Sequence, residues 1–319
     1  MPKNRRLPRQ IIALIVVGVL ALAAVGGYIF SVLSKSGGNP FSAVEPYVYP
    51  DSAAAKALPT ATADEVAAFT RLAETPTAIW VLPEAHTTAD VGNFVAQVAG
   101  NAEAADRIAV FVIYGIPNRD CANESAGGLS AEEYPIWVSS IAAGLEGHKS
   151  VVILEPDALA LSTSCESGDD RAAQINDAID RLVPSGATIY LDGGHSTWLP
   201  AAQQADLLNA AGISKVRGFA SNVSNYNTTD LEKAYDAEVS SLTGGSHYVI
   251  DTGRNGNGSN GEWCNPSDRA LGEAPVVVND GTGLDAVLWI KNPGESDGSC
   301  NGGPAAGEWW PQGAVDLAN

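Results

Sequence analysis

The stretch 151–160 reads VVILEPDALA, an apolar run broken by Glu155, Pro156 and Asp157 before the chain turns apolar again. Polar side chains follow other apolar runs in the same way. Asp120 lies in GIPNRDC, Asp192 and His195 in DGGHSTW, Asn225 in SNVSNY, and Lys291, Glu295 and Asp297 in KNPGESDG. One Asp in such a place is more often a helix cap or a turn residue. A whole set gathered on one rim suits another chemistry, the acid/base hydrolysis of acetals. One carboxylic acid with a raised pKa protonates the leaving oxygen, and a second carboxylate activates water or attacks the sugar. Trp80, Trp198, Trp263 and Trp289 lie in or near the same places. Indole faces stack on the CH faces of pyranose rings. A lone Trp is more often core packing, but Trp198 and Trp263 each stand inside a polar, Gly-containing loop.

Other chemistries find little support. There is no G-x-S-x-G elbow, and GRNGNGSNG (253–261) lacks the strand–GK[ST]–helix setting of a phosphate loop. His86, His148, His195 and His247 are scattered without HExxH, and the cysteines without CxxC, so neither metal nor cofactor is expected. A net charge of -19 excludes nucleic acid and anionic lipid surfaces as partners.

The elements that must position these residues alternate along the chain. Strand-like runs fall at 78–82, 108–114, 151–154, 187–191, 216–220, 247–250 and 285–290, with helix-like segments such as 130–147 and 170–183 between them. Continuous apolar strands separated by helices predict a parallel sheet covered on both faces. Seven such units suggest an α/β fold, a (β/α) barrel of eight strands or fewer, whose C-terminal strand ends converge on one rim. Before this domain, taken as 48–319, come a basic segment 1–10, an apolar run Ile11 to Leu33 and a Gly/Pro/Ser linker 34–47. The apolar run is long enough to span a bilayer as an uncleaved anchor, with its basic flank inside and the domain outside. A cleaved signal is the competing reading, and both export the domain. Cys121, Cys165, Cys264 and Cys300 suit an oxidising compartment, and three pairings are open to them.

VVILEPDALA, YLDGGHSTWL, GFASNVSNY, YVIDTGRNGNG, WCNPSDRALG and LWIKNPGESDGSC together resemble the ordered motifs of glycoside hydrolase family 6, cellulases acting on β-1,4-glucan, from about Phe41 to Asn319. The resemblance implies a distorted seven-stranded barrel, an inverting mechanism and no metal, and a monomer is expected. It implies Asp157 as general acid, Asp120 as the second aspartate that keeps the acid protonated and helps place water, and Tyr114 as the tyrosine that distorts the sugar. Asp297 corresponds to the aspartate proposed as base, and Asp192 to a supporting position. Trp80, His195, Trp198, Asn225, Trp263, Lys291 and Glu295 correspond to sugar-binding and supporting positions, and the disulfides to Cys121–Cys165 and Cys264–Cys300. Where the family has a water-holding serine this chain has Ala126, with Ser125 just before it. Gly253 replaces a serine, which predicts one hydrogen bond fewer near the cleft. Only 26 residues separate Cys264 from Lys291, which predicts an open cleft and endo cleavage. A catalytically weak glycan-binding protein and a retaining glycosidase are the alternatives.

Overall fold

Seven parallel strands carry the domain, each set beside the next in sheet order: β2 (Ile79–Val81), β3 (Arg107–Ile113), β4 (Ser150–Leu154), β5 (Thr188–Asp192), β6 (Gly218–Ser221), β7 (His247–Asp251) and β9 (Leu284–Leu288). The computed structural model describes residues 37–165 and 170–319. Side chains alternate between two apolar clusters, as a sheet buried on both faces requires. Val110, Val112, Val151, Ile153 and Tyr190 point into the barrel. Phe111, Ile113, Val152, Leu154 and Leu191 point outward beneath the helices. The two helices foreseen at 130–147 and 170–183 form as Tyr134–Leu145 and Arg171–Leu182.

The ring is distorted because it lacks a ladder between its first and last strands. Among the described residues one backbone hydrogen bond crosses this seam, from the Ala78 amide to the Trp289 carbonyl, and Trp80 adds its indole N–H on the Ile290 carbonyl and its ring beneath Lys291. The seam is also where the expected linker proves to be structure. β1 (Glu45–Pro46) pairs with the beginning of β3, below β2 on the same edge. The Asn39 amide donates to the carbonyls of Val278 and Asp285 on the opposite side, near β8 (Val276–Val277), which pairs antiparallel with β9. Phe41 is 2% exposed, inside the barrel cluster. The chain from Asn39 to Pro46 therefore crosses the seam and shuts the barrel floor. Its Gly, Pro and Ser content marks irregular backbone, which here is packed irregular backbone. Among the described residues no helix is long and apolar enough to cross a membrane, and the apolar run Ile11 to Leu33 lies outside them. The cysteines pair as Cys121–Cys165 and Cys264–Cys300.

Candidate active site

Glu155-Pro156-Asp157 makes a sharp exit from β4. Glu155 and Asp157 both take left-handed φ values, 52° and 67°, which is costly for residues with a Cβ. Glu155 holds the turn. Its carboxylate is fully buried and accepts from the amides of Gly115 and Ile116, which follow β3. Burial pushes it up to about 7 against the opposing pull of those amides. Asp157 then stands at the start of the short helix Ala158–Leu161 without capping it. Its carboxyl has no hydrogen-bond partner among the described residues and faces a cleft of ≈ 1140 Å³ at the C-terminal ends of the strands.

That cleft collects all of the expected site residues except Asp192: Trp80, Tyr114, Asp120, Asp157, His195, Trp198, Asn225, Trp263, Lys291, Glu295 and Asp297 line it. Asp192 stays behind the wall at the end of β5, where it accepts from the backbone amides of Asp157 (3.1 Å) and Gly194 (3.0 Å). It holds the backbone of Asp157 and does not itself line the cleft. Burial drives Asp157 well above the usual carboxylate range, and the charges of Asp192, Asp120 and Asp297 add to the shift. Asp192 itself is pushed up to about 7 by burial.

Across the cleft, Asp120 leaves the β3 loop. Its Oδ2 accepts from both the amide and the hydroxyl of Ser125 at 2.8 Å, and the same hydroxyl lies 2.9 Å from the Tyr114 hydroxyl. Ser125 thus supplies the hydroxyl that Ala126 lacks. Arg119 fixes this corner. Its guanidinium lies over the Tyr114 ring, donates to the Tyr114 and Ser125 carbonyls and pairs with Glu84. Burial, followed by the charges of Asp157 and Asp120, raises the Tyr114 pKa, so its phenol stays neutral.

Asp297 is held very differently. Arg254 pairs with it at 2.9 Å, and the Tyr226 hydroxyl and Asn265 amide donate to its Oδ2. Although burial opposes ionisation, Arg254 wins and holds Asp297 below the usual range. Lys291 sits over Trp80 and 3.7 Å from Glu295, whose pKa burial raises. His195 is lowered to about 4 by burial, so it is neutral. The Asn227 side-chain amide and the Thr197 hydroxyl both lie 3.0 Å from its Nδ1, which leaves Nε2 to the cleft. Trp198 lies 5.3 Å from the His195 ring, and Trp263 is 54% exposed at the edge of the cleft. Trp289 does not belong here. It is 1% exposed in an outer cluster with Phe69 and Leu72. Gly253 is buried too, its amide on Asp251, and a Cβ there would sit 3.0 Å from the Lys291 carbonyl. Among the described residues no group of three or more His, Cys, Asp or Glu converges as metal ligands would.

Sequence reasoning passed over Arg119, Arg254, Tyr226 and Asp251. All four stand inside quoted motifs, but only the fold reveals which groups they meet. Asp251 accepts from the amides of Gly253, Ser224, Ile290 and Lys291, joining three rim loops.

The barrel with its carboxylate cleft and indole faces is that of a glycosidase, and the comparisons agree. Residues 41–319 match the family model for glycosyl hydrolases family 6, and the chain belongs to that family. Endoglucanase A of Cellulomonas fimi is 47% identical over 275 residues, 85% of this chain and 60% of that protein, so the match leaves a good part of the relative's length uncovered. Endoglucanase 1 of Streptomyces halstedii is 38% identical over 85% of this chain and 87% of its own. Among solved structures, the endoglucanase Cel6 from Mycobacterium tuberculosis, in complex with methyl-cellobiosyl-4-deoxy-4-thio-β-D-cellobioside, superposes with a TM-score of 0.83 at 44% identity, covering 88% of this chain and 98% of that one.

Proposed function

We propose that the protein is an inverting endo-β-1,4-glucanase that hydrolyses cellulose or a related β-glucan. The observation that carries the reading is Asp157, a carboxyl aimed into a sugar-sized cleft, without a hydrogen-bond partner and surrounded by three other carboxylates. Burial and neighbouring charge favour its protonated form, which is what a general acid at a glycosidic oxygen needs. Asp120, with Ser125 and Tyr114, orients the attacking water on the other side of the bond and takes the proton that water loses as its oxygen bonds to the sugar. Asp297, already saturated by Arg254, Tyr226 and Asn265, gains little from a proton. It acts as a fixed anion facing the developing positive charge of the sugar rather than as the base. Trp80, Trp198 and Trp263 hold glucose units by their faces, while His195 Nε2, Asn225, Lys291 and Glu295 offer polar contacts. In the same reading the protein acts as a monomer on the outer side of the cell membrane, held by Ile11 to Leu33 or released if that run is cleaved. The weak-binding alternative loses one of its two motives, since the hydroxyl missing at Ala126 is provided at Ser125, and keeps only the anchor.

The test is to add cellohexaose to the full-length protein and follow the anomeric protons by NMR. Early α-anomer establishes cleavage with inversion. Early β-anomer would replace this mechanism with a retaining one, and binding without product would refute the glucanase reading.

A further inference from the structure

The β3 loop does not end at its own side of the cleft. Oε2 of Glu124 accepts from the Ser299 amide in the β9 loop at 2.9 Å. The side chain also lies against Gly298, where a Cβ would stand 2.5 Å from Glu124 Cγ, so only glycine permits this approach. In sheet order β3 and β9 flank the seam at β2, and Trp80 of β2 is wedged between their ends. It meets Tyr114 edge-on at 5.3 Å and donates to the Ile290 carbonyl. Trp80 beneath, one loop on each side and the Glu124–Ser299 contact above complete a hoop, and Trp80, Glu124, Ser125, Ser296 and Asp297 all line the cleft. The short loops foreshadow an open cleft, yet it is bridged at this one point.

The hoop is built to open there. Cys121–Cys165 anchors the base of one loop, and Cys264–Cys300 the other. The β9 side is further fixed by Arg254 on Asp297 and by the Asn265 amide on the Gly298 and Cys300 carbonyls. The β3 side carries strain, since Asp120, Cys121 and Ala122 are all left-handed, at φ 59°, 49° and 70°. Such strain gathers in segments that have two arrangements. Between the anchors the link is one solvent-exposed hydrogen bond, a weak clasp.

We propose that Glu124 is a specificity-determining residue: its clasp on Ser299 decides whether a glucan reaches Asp157 by threading from an end or by being laid in mid-chain. The proposal rests on the glucanase reading.

The experiment compares full-length wild type, Glu124→Ala and Glu124→Gln on swollen cellulose, reading the ratio of soluble to insoluble reducing ends, with cellohexaose turnover as control. Glu124→Ala is expected to lower that ratio about threefold, a change in proportion to one weak hydrogen bond. Cellohexaose turnover should stay near wild type, and Glu124→Gln, which keeps an acceptor oxygen, should resemble wild type. An unchanged ratio in an active Glu124→Ala enzyme overturns the clasp alone, whereas a wild type that cleaves no glucan overturns the glucanase reading and the clasp with it. If Glu124→Ala fails to fold, hydrogen exchange in the wild type decides. The Ser299 amide should exchange quickly when free and slow on adding cellohexaose; equal protection in both states overturns the proposal.

Discussion

Asp157 reaches the cleft from a strained backbone position and makes no hydrogen bond that would commit its proton. Replacing it by Asn removes the proton donor and leaves the shape, so kcat should fall by about 10²–10⁴-fold while cellotetraose binding, read by calorimetry, changes little. The wild-type kcat/KM should decline on the alkaline side as Asp157 ionises, a limb set above ordinary carboxylate values by its burial and its neighbours. Ser125 makes a sharper distinction. Ser125→Ala should cost about tenfold in kcat by freeing Asp120 and Tyr114 from one another, whereas Ala126→Ser should change little, because the bridging hydroxyl is already present. Equal effects of the two would show that the water is held from position 126 after all. Most of this site was legible from residue type, since carboxylates after apolar runs can be seen in a linear sequence. The sorting of the acids was not. Asp157, Asp192 and Asp297 look alike on paper, and what separates them is an empty hydrogen-bonding shell, a buried pair of backbone amides and an arginine, all contributed by distant segments.

At the scale of elements, the strands were readable because each is buried on both faces and therefore mostly apolar, with boundaries shifting by no more than about two residues. The floor was not. Asn39 to Pro46 carries the composition of a linker, and only the gap between β3 and β9 gives it something to close. Asp251 shows how the rim is held once the strands are in place. Four backbone amides from the loops after β6, β7 and β9 end on one carboxylate. Asp251→Ala should lower stability by ~3–5 kcal/mol, since those buried amides lose their acceptor together. Urea unfolding measures this, and an unchanged midpoint would mean that the amides find other partners.

For the whole molecule, the buried acids set the dependence of stability on pH. Burial raises Glu155 and Asp192 to about 7, and raises Glu232 and Asp236 as well. Between the unfolded value near 4 and these folded values the native state binds more protons than the unfolded one, so stability falls as pH rises through that window. Asp285 and Asp297 are lowered instead, chiefly by Arg217 and Arg254 against the opposing effect of burial, and their contribution is lost as pH falls through their depressed values. The melting temperature should therefore peak in mildly acidic buffer and drop by several degrees towards pH ~8, at about 2–4 °C per kcal/mol for a domain of this size. A melting temperature that rises steadily to neutrality would contradict it. The seam has a different kind of consequence. Every other junction between neighbouring parallel strands would need several backbone bonds to break before it could widen, but β2 and β9 are joined by one. Ladders therefore tie the frame that aims Asp157 everywhere except beneath Trp80, where one backbone bond, the indole N–H and the strap from Asn39 to Pro46 take the place of a ladder.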